Sequence, residues 1–441
     1  MALFKDSRHD GMKRKKGLLS RDSLVSKARE FFAEEFPCSP RGAPFSTSDC
    51  LISGLAIFLF KYPSLLSFEG AYGAPKANHN LRKLLNLEKL PSDTSVRYHL
   101  DSVDPDKIKP IFKDIFNDLR KNADLSEYRR ADGSFLISID GTQTFSSKKV
   151  HCPSCLVKKH RNGSATYSHQ IMTAVLISPS KKAVFPVDCE EISNTDGTSK
   201  NDCELNAIHR LLRRIRKNYP STQFTITADG LSSNAPNISL MKELNFSFIL
   251  VAKDGNHKYL VKKQLESMKN DDLEVYDKTD KSGLKHVAIC QNSTKLNNSS
   301  EILVNYLCYW TEDQTGNQKY YNTWVTNTEL TEMTAFEVSR SGRTYWRIEN
   351  ETHNTLKNQG YNLEHNYGHG EKNLCAVFTH LTLLAFLIDQ VNMSCPKFSF
   401  LVEKLKTRVG AWKQIVITLF AAEINSFSSL YNSTVDRFNT S

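Results

Sequence analysis

No stretch of this sequence stays apolar for the roughly 20 residues that a membrane-spanning helix needs. The longest, residues 374–388, is interrupted by Thr379, His380 and Thr382. That pattern marks a buried core helix and argues against a transporter or receptor. The N-terminus, MALFKDSRHDGMKRKKG, lacks the apolar core of a secretory signal. The 10 cysteines include only one close pair, Cys152 and Cys155. A disulfide framework is therefore absent, and free thiols in a reducing, bacterial cytoplasm are expected. No internal repeat is visible. The 39% hydrophobic and 24% charged content is ordinary for a globular chain and excludes disorder and collagen-like arrays.

What is present is length and a basic surplus. At 441 residues the chain exceeds one small core, so two to three structural units are expected. Lys and Arg outnumber Asp and Glu by 58 to 48, a net charge of +10. That surplus is compatible with a polyanionic partner. One cluster of it, Lys13, Arg14, Lys15 and Lys16, reads either as a solvated tail or as a phosphate-contacting arm.

Residues 1–125 read as a helical region, with Ile108, Ile111, Phe112, Ile115 and Leu119 on one face at 3.6-residue spacing. From Ser134 the texture changes. FLISID, YSHQIMTAVLIS, AVFPVD, FTITAD and FSFILVAKD are strand-like, and ELNAIHRLLRRIRKN between them is an amphipathic helix. This alternation predicts an α/β unit with a mixed sheet over residues 126–254. Residues 255–336, with HVAICQ, ILVNYLCYW and KYYNTWVTNTE, read as an inserted antiparallel β subdomain. Helical periodicity returns over 337–391, the second part of the core, and continues through a C-terminal helical region, 392–441.

Asp140 ends one predicted strand and is followed by Gly141; Asp229 ends another and is followed by Gly230. Carboxylates at the ends of buried strands can share a cleft. Burying them is costly unless they are paired or bound to a cation. A single such Asp is as well explained as a helix cap or turn former, but the pattern occurs twice. A third acid comes from RTYWRIENETHNTLKNQGYNLEHNYGHG, where Glu349 and Glu351 begin a helix that also carries Tyr345, Arg347 and Lys357.

These motifs resemble the DDE transposases of the cut-and-paste insertion-sequence type, over roughly residues 130–390. SIDGT supplies Asp140, TADGLSSNAP supplies Asp229, and YWRIENE supplies the Glu, 120 positions after Asp229 (349 − 229), which leaves room for the inserted β region. The family's Tyr-x-x-Arg-x-x-x-Glu-x6-Lys signature fits with a slip of one residue. With Glu349 as the acid, Lys357 lies one position too far; with Glu351, one too near. Glu349 is the preferred acid and Glu351 the alternative.

The resemblance implies an RNase H-like core and a pair of Mg2+ or Mn2+ ions held by Asp140, Asp229 and Glu349. Such ions activate the attacking oxygen and stabilise the leaving oxygen of a phosphoryl displacement. It also implies phosphate contacts from Tyr345, Arg347 and Lys357, action on double-stranded DNA at terminal inverted repeats, and a homodimer that pairs two element ends. Lys148 and Lys149, just after the first strand, are further candidate DNA contacts. A nuclease or resolvase that does not join ends, an inactive DNA-binding relic and a two-carboxylate carbohydrate hydrolase are the competing readings.

Cys152 and Cys155 have metal-knuckle spacing, with His151 and His160 nearby and Cys189, Cys203, His169 and His209 more distant. One pair falls short of the four ligands of a structural zinc, so a reduced thiol pair stands beside that reading. His365 and His369 are expected to serve a glycine-bearing turn or packing. The basic residues Arg210, Arg213, Arg214, Arg216 and Lys217 are expected on a solvated helix face.

Overall fold

The computed structural model describes residues 17–38, 42–192, 204–253, 255–270, 273–393 and 395–439. The basic cluster at positions 13–16 and Cys203 lie outside them. Among the described residues ten strands form one mixed sheet. They are β1 (Phe135–Ser147), β2 (Leu156–Lys159), β3 (Ala165–Leu176), β4 (Phe185–Ile192), β5 (Phe224–Ala228), β6 (Ser247–Val251), β7 (Glu274–Thr279), β8 (Lys285–Asn297), β9 (Ser300–Glu312) and β10 (Gln318–Thr326).

The sheet order is β2-β3-β1-β5-β6-β10-β9-β8-β7, with β4 also on β3. Only β1 with β5 and β5 with β6 pair in parallel. β5, FTITA, is buried along its whole length, as a central parallel strand covered on both faces must be. Parallel neighbours need a crossover of a dozen or more residues. Helix Glu204–Asn218 lies in the connection from β4 to β5 and helix Ala235–Glu243 in that from β5 to β6. The expected mixed α/β sheet is therefore present.

The insertion differs from expectation in how it attaches. β7 to β10 are antiparallel, as the alternating runs predicted, but β10 pairs with β6 through Val325 and Leu250. The inserted strands thus prolong the core sheet. They keep a small core of their own, in which Ala288, Leu307, Tyr309 and Trp324 meet Ala335 and Val338 of helix Glu332–Arg343.

The two helical ends also join. Helix Leu374–Asn392 has the length and apolarity to cross a membrane, yet its side chains from Val377 to Asn392 are buried inside the fold. It packs against helix Thr47–Leu59, itself buried at every residue but Asp49. Asp22 near the start of the first helix accepts from the Phe427 and Ser428 amides (2.6 and 3.0 Å), capping the last helix. Buried Asn80 donates to the carbonyls of Leu419 and Ala422 and accepts from the Ile424 amide. Regions 1–125 and 392–441, read from sequence as separate, share one core with the sheet.

Candidate active site

Parallel pairing of β1 with β5 sets Ser138 opposite Thr227. Asp140 and Asp229 each stand two residues further on; Asp229 follows the end of β5, but β1 continues past Asp140 and Gly141 to Ser147 in its pairing with β3, so Asp140 does not end its strand as the sequence predicted. They therefore occupy equivalent positions on neighbouring strands and, with a side-chain period of two, the same face of the sheet. Beneath them on that face the buried hydroxyls of Ser138 and Thr227 have no protein hydrogen-bond partner. The Asp229 carboxylate also accepts from the amides of Leu231 and Ser232 (3.0 and 3.2 Å), so it shapes the turn that follows as well as facing the cleft.

A fourth carboxylate, which sequence reasoning missed, belongs here. A Cβ on Gly141 would lie 2.9 Å from Glu204 Oε1, so the glycine is the gap that admits Glu204. An acid in the first turn of a helix ordinarily reads as a complement to the helix dipole, and nothing in the sequence connects it with β1. Burial pushes the Asp140 carboxyl up to about 6; a Tyr345 hydrogen bond opposes this, and the charges of Asp229 and Glu204 add to it. Glu204 is itself raised, by burial and by Asp229.

The third expected acid lies on an unusual helical segment. After helix Glu332–Arg343 the chain forms a π-helix over Ile348–His353 and a short α-helix over Asn354–Asn358. A π-turn closes with i→i+5 bonds and is enriched at functional sites. It absorbs about one residue more per turn than an α-helix. Tyr345, Glu349, His353 and Lys357, four apart, follow one another along the segment. The Tyr345 hydroxyl is hydrogen-bonded to Asp140 and feels the charges of Asp140, Asp229 and Glu349; burial first, then these, raise it far above the ordinary phenol value.

His353 is the second residue that sequence reasoning passed over. Its Nδ1 lies 3.6 Å from Asp140 Oδ2 and its Nε2 3.0 Å from Thr173 Oγ1. Burial, with the Lys357 charge adding, lowers it to about 4. It is therefore neutral at physiological pH and does not neutralise Asp140. Glu351, two residues from Glu349, faces roughly half a turn away.

The expected phosphate contacts separate into groups. Tyr345 stands at Asp140. Lys357 is near His353 and pairs with Glu364 at 2.8 Å. Arg347 does not join them: it is buried, donates to the Pro179 carbonyl at 3.3 Å and lies against the Trp346 ring. Pro179 lies in the connection between β3 and β4, so the Arg347 guanidinium is directed at that connection. Lys148 and Lys149 are exposed just past the end of β1, about 25 Å along the strand from Asp140. A nearer cation is Lys253, whose side chain lies 3.1 Å from where a Gly230 Cβ would be.

The basic helix face is not simply solvated, as expected from its charge run. Arg214 pairs with Asp188 and Glu190, Arg210 with Glu190, Arg213 with Glu243, and Arg216 donates to the carbonyls of Thr222, Leu244 and Asn245. Arg210, Arg214 and Arg216 are thus occupied within the fold, whereas Arg213 and Lys217 are exposed as expected.

The thiol pair also has partners that the sequence did not assign. Cys152 and Cys155 meet His169 of β3 and His369, all four buried. His369 is thus more than a turn or packing residue. His151, by contrast, stacks on Tyr167, His160 bonds Thr166, and His209 bonds Asn237. A second group of potential ligands, Asp106, Glu190 and Glu191, surrounds the Lys109 ammonium, which binds all three.

Compared with protein-family models and with curated proteins, the chain matches none.

Proposed function

We propose that this chain is a metal-dependent DNA strand transferase of the DDE transposase kind. The observation that carries the reading is the convergence of Asp140, Asp229, Glu204 and Tyr345 on one face, with Glu349 reached through a π-turn. The order β4-β3-β1-β5-β6, with only β3 antiparallel to its neighbours, supports an RNase H-like core. In that arrangement Asp140, within β1, and Asp229, just past the end of β5, open to the same cleft.

The donor set fits divalent cations. It is all oxygen, which suits Mg2+ or Mn2+. It is crowded enough that burial and mutual charge hold Asp140 partly protonated near pH 6, and its neighbouring histidine carries no compensating charge. Asp140, Asp229 and Glu349 would hold the ions, with Glu204 within reach of the same site. When bound, two such ions would polarise the attacking and leaving oxygens of a phosphoryl displacement.

The chain's own residues do the positioning. Tyr345 donates to Asp140 and fixes its carboxylate; Thr173 fixes the His353 ring against the same group. Lys357 and Lys253 stand at the rim, where a DNA phosphate would meet them as point charges. Water would serve as nucleophile for strand cleavage and a DNA 3′-hydroxyl for joining. Use of two element ends calls for a homodimer on double-stranded DNA.

The test is incubation of the purified chain with DNA flanking its own gene and Mg2+. Site-specific breaks at inverted repeats, lost in Asp140→Ala and Asp229→Ala, are expected, and joined products mark a transferase rather than a nuclease. Cleavage that persists in both variants would refute the reading. Glu349→Gln should abolish the reaction and Glu351→Gln should spare it.

A further inference from the structure

The four side chains Cys152, Cys155, His169 and His369 form a cluster away from the acids. Their ligand atoms all lie within 4.8 Å of one another. Cys152 Sγ and Cys155 Sγ are 3.9 Å apart; His169 Nε2 is 3.3 Å from the first and 3.4 Å from the second; His369 Nε2 is 3.3 Å from Cys155 Sγ. Zinc bonds of about 2.3 Å to sulfur and about 2.0–2.1 Å to nitrogen, at tetrahedral angles, predict edges of about 3.8 Å between sulfurs and about 3.5 Å from sulfur to nitrogen. The four distances match these to within about 0.2 Å. We propose that Cys152, Cys155, His169 and His369 bind one structural zinc ion.

The chemistry of the donors selects the ion. Two thiolates and two imidazoles in a tetrahedron suit zinc, whereas Mg2+ and Ca2+ take oxygen. Four protein ligands leave no open position, so the ion is structural rather than catalytic. All four residues are buried, and the His369 Nδ1 atom has no hydrogen-bond partner. The polar contacts that join these imidazoles to the thiols are weak sulfur–nitrogen ones. The thiols are also 3.9 Å apart, well beyond a disulfide bond of about 2.05 Å.

The backbone around His369 is built to aim it. Gly368 and Gly370 have φ of 154° and 67°, and a Cβ on either would lie 2.2 Å from Arg97 Nη1 or Asp101 Oδ1 respectively. Only glycine permits that path. Directly after it, the Asp101 carboxylate accepts from the amides of Glu371, Lys372, Asn373 and Leu374, each at 3.0 Å. The segment bearing His369 is thus clamped from both sides. Phe145 of β1 closes the pocket, its ring centroid 4.4 Å from that of His369.

Zinc here would join three parts of the chain: the β1–β2 loop that carries Lys148 and Lys149, strand β3, and the segment that follows the Glu349 helix. Cys155 and His369 are 214 positions apart, so the ion would close a long loop and lower the entropy of the unfolded chain. It would brace both sides of the cleft without entering the chemistry.

Metal analysis of the full-length protein, purified without chelator, should find one zinc per chain. X-ray absorption at the zinc edge should show two sulfur and two nitrogen neighbours. Cys155→Ser and His369→Ala should lose the ion, while His151→Ala, His365→Ala, Asp140→Asn and Asp229→Asn should keep it. Retention in the last two separates this site from the proposed catalytic metals. If the cysteine or histidine variant fails to fold, the absorption spectrum of the unaltered protein decides by its sulfur count. A chain that stays zinc-free after reconstitution, zinc with only oxygen and nitrogen neighbours, iron or copper in its place, or a Cys152–Cys155 disulfide in the native protein would each overturn the proposal.

Discussion

Asp140→Asn should make the metal-free protein more stable, not less. The Asp140 carboxyl is raised from an ordinary 3.8 to about 6, chiefly by burial, with the charges of Asp229 and Glu204 adding and the Tyr345 hydrogen bond opposing. At about 1.4 kcal/mol for each tenfold change in proton affinity, that is up to about 3 kcal/mol. The sign follows from proton counting. Between the two values the folded chain holds a proton that the unfolded chain has released, so stability falls as pH rises through this window and stays reduced above it. Asparagine removes the penalty. With about 2.1 cal/mol/K of unfolding entropy per residue, a chain of this length should gain about 3 °C in Tm at about pH 7.5. Near pH 4.5 the gain should shrink to about 1 kcal/mol, because Asp140 is then protonated in the native protein. Thermal unfolding followed by circular dichroism in EDTA measures both. Added Mg2+ should raise the Tm of the unaltered protein more than that of the variant. An equal or lower Tm for Asp140→Asn at about pH 7.5 in EDTA would show that the acids are not held in mutual strain.

Deleting Asn350 should convert the π-turn to α-helix, because that turn holds about one residue more than an α-helical one; His353 and Lys357 should keep their places beside Asp140, and loss of DNA cleavage with unchanged far-UV circular dichroism would contradict the register assigned to Glu349. Asp389→Ala should cost about 3–5 kcal/mol, because Arg21 (2.6 Å) and Lys61 (2.5 Å) are both buried against that carboxylate; denaturant unfolding gives the value. Asn80→Ala leaves two carbonyls and one amide of the 419–424 segment without their partner, a loss of about 2–4 kcal/mol measurable in the same way. Gly141→Ala should displace Glu204, whose Oε1 a methyl group would meet at 2.9 Å, and weaken Mn2+ binding by calorimetry with little change in Tm.

Much of the framework was legible along the chain. The strands around Asp140 and Asp229 announced themselves through β-branched runs ending in Asp-Gly, and residues 374–388 through an apolar run broken only by Thr379, His380 and Thr382. Periodicity and turn chemistry are local properties, so local sequence determines them. The two aspartates could be paired because each ends an apolar run and precedes a glycine, a feature visible from neighbours alone. The one-residue slip at Glu349 was also visible, but the π-turn there was not, since a π-turn has no fixed composition.

What the tertiary structure decided are the meetings of distant residues. Glu204 reaches Asp140 only because Gly141 leaves a gap opposite the start of a helix. His369 reaches Cys155 across 214 positions because two glycines and the Asp101 carboxylate bend the chain toward β3. Arg347 is directed instead at the connection between β3 and β4. The inserted strands became part of the core sheet because β6 offered an edge whose hydrogen bonds had to be satisfied. The sequence alone determined which groups are present and which local conformations they prefer. Packing and chain reversal determined which of them share a site.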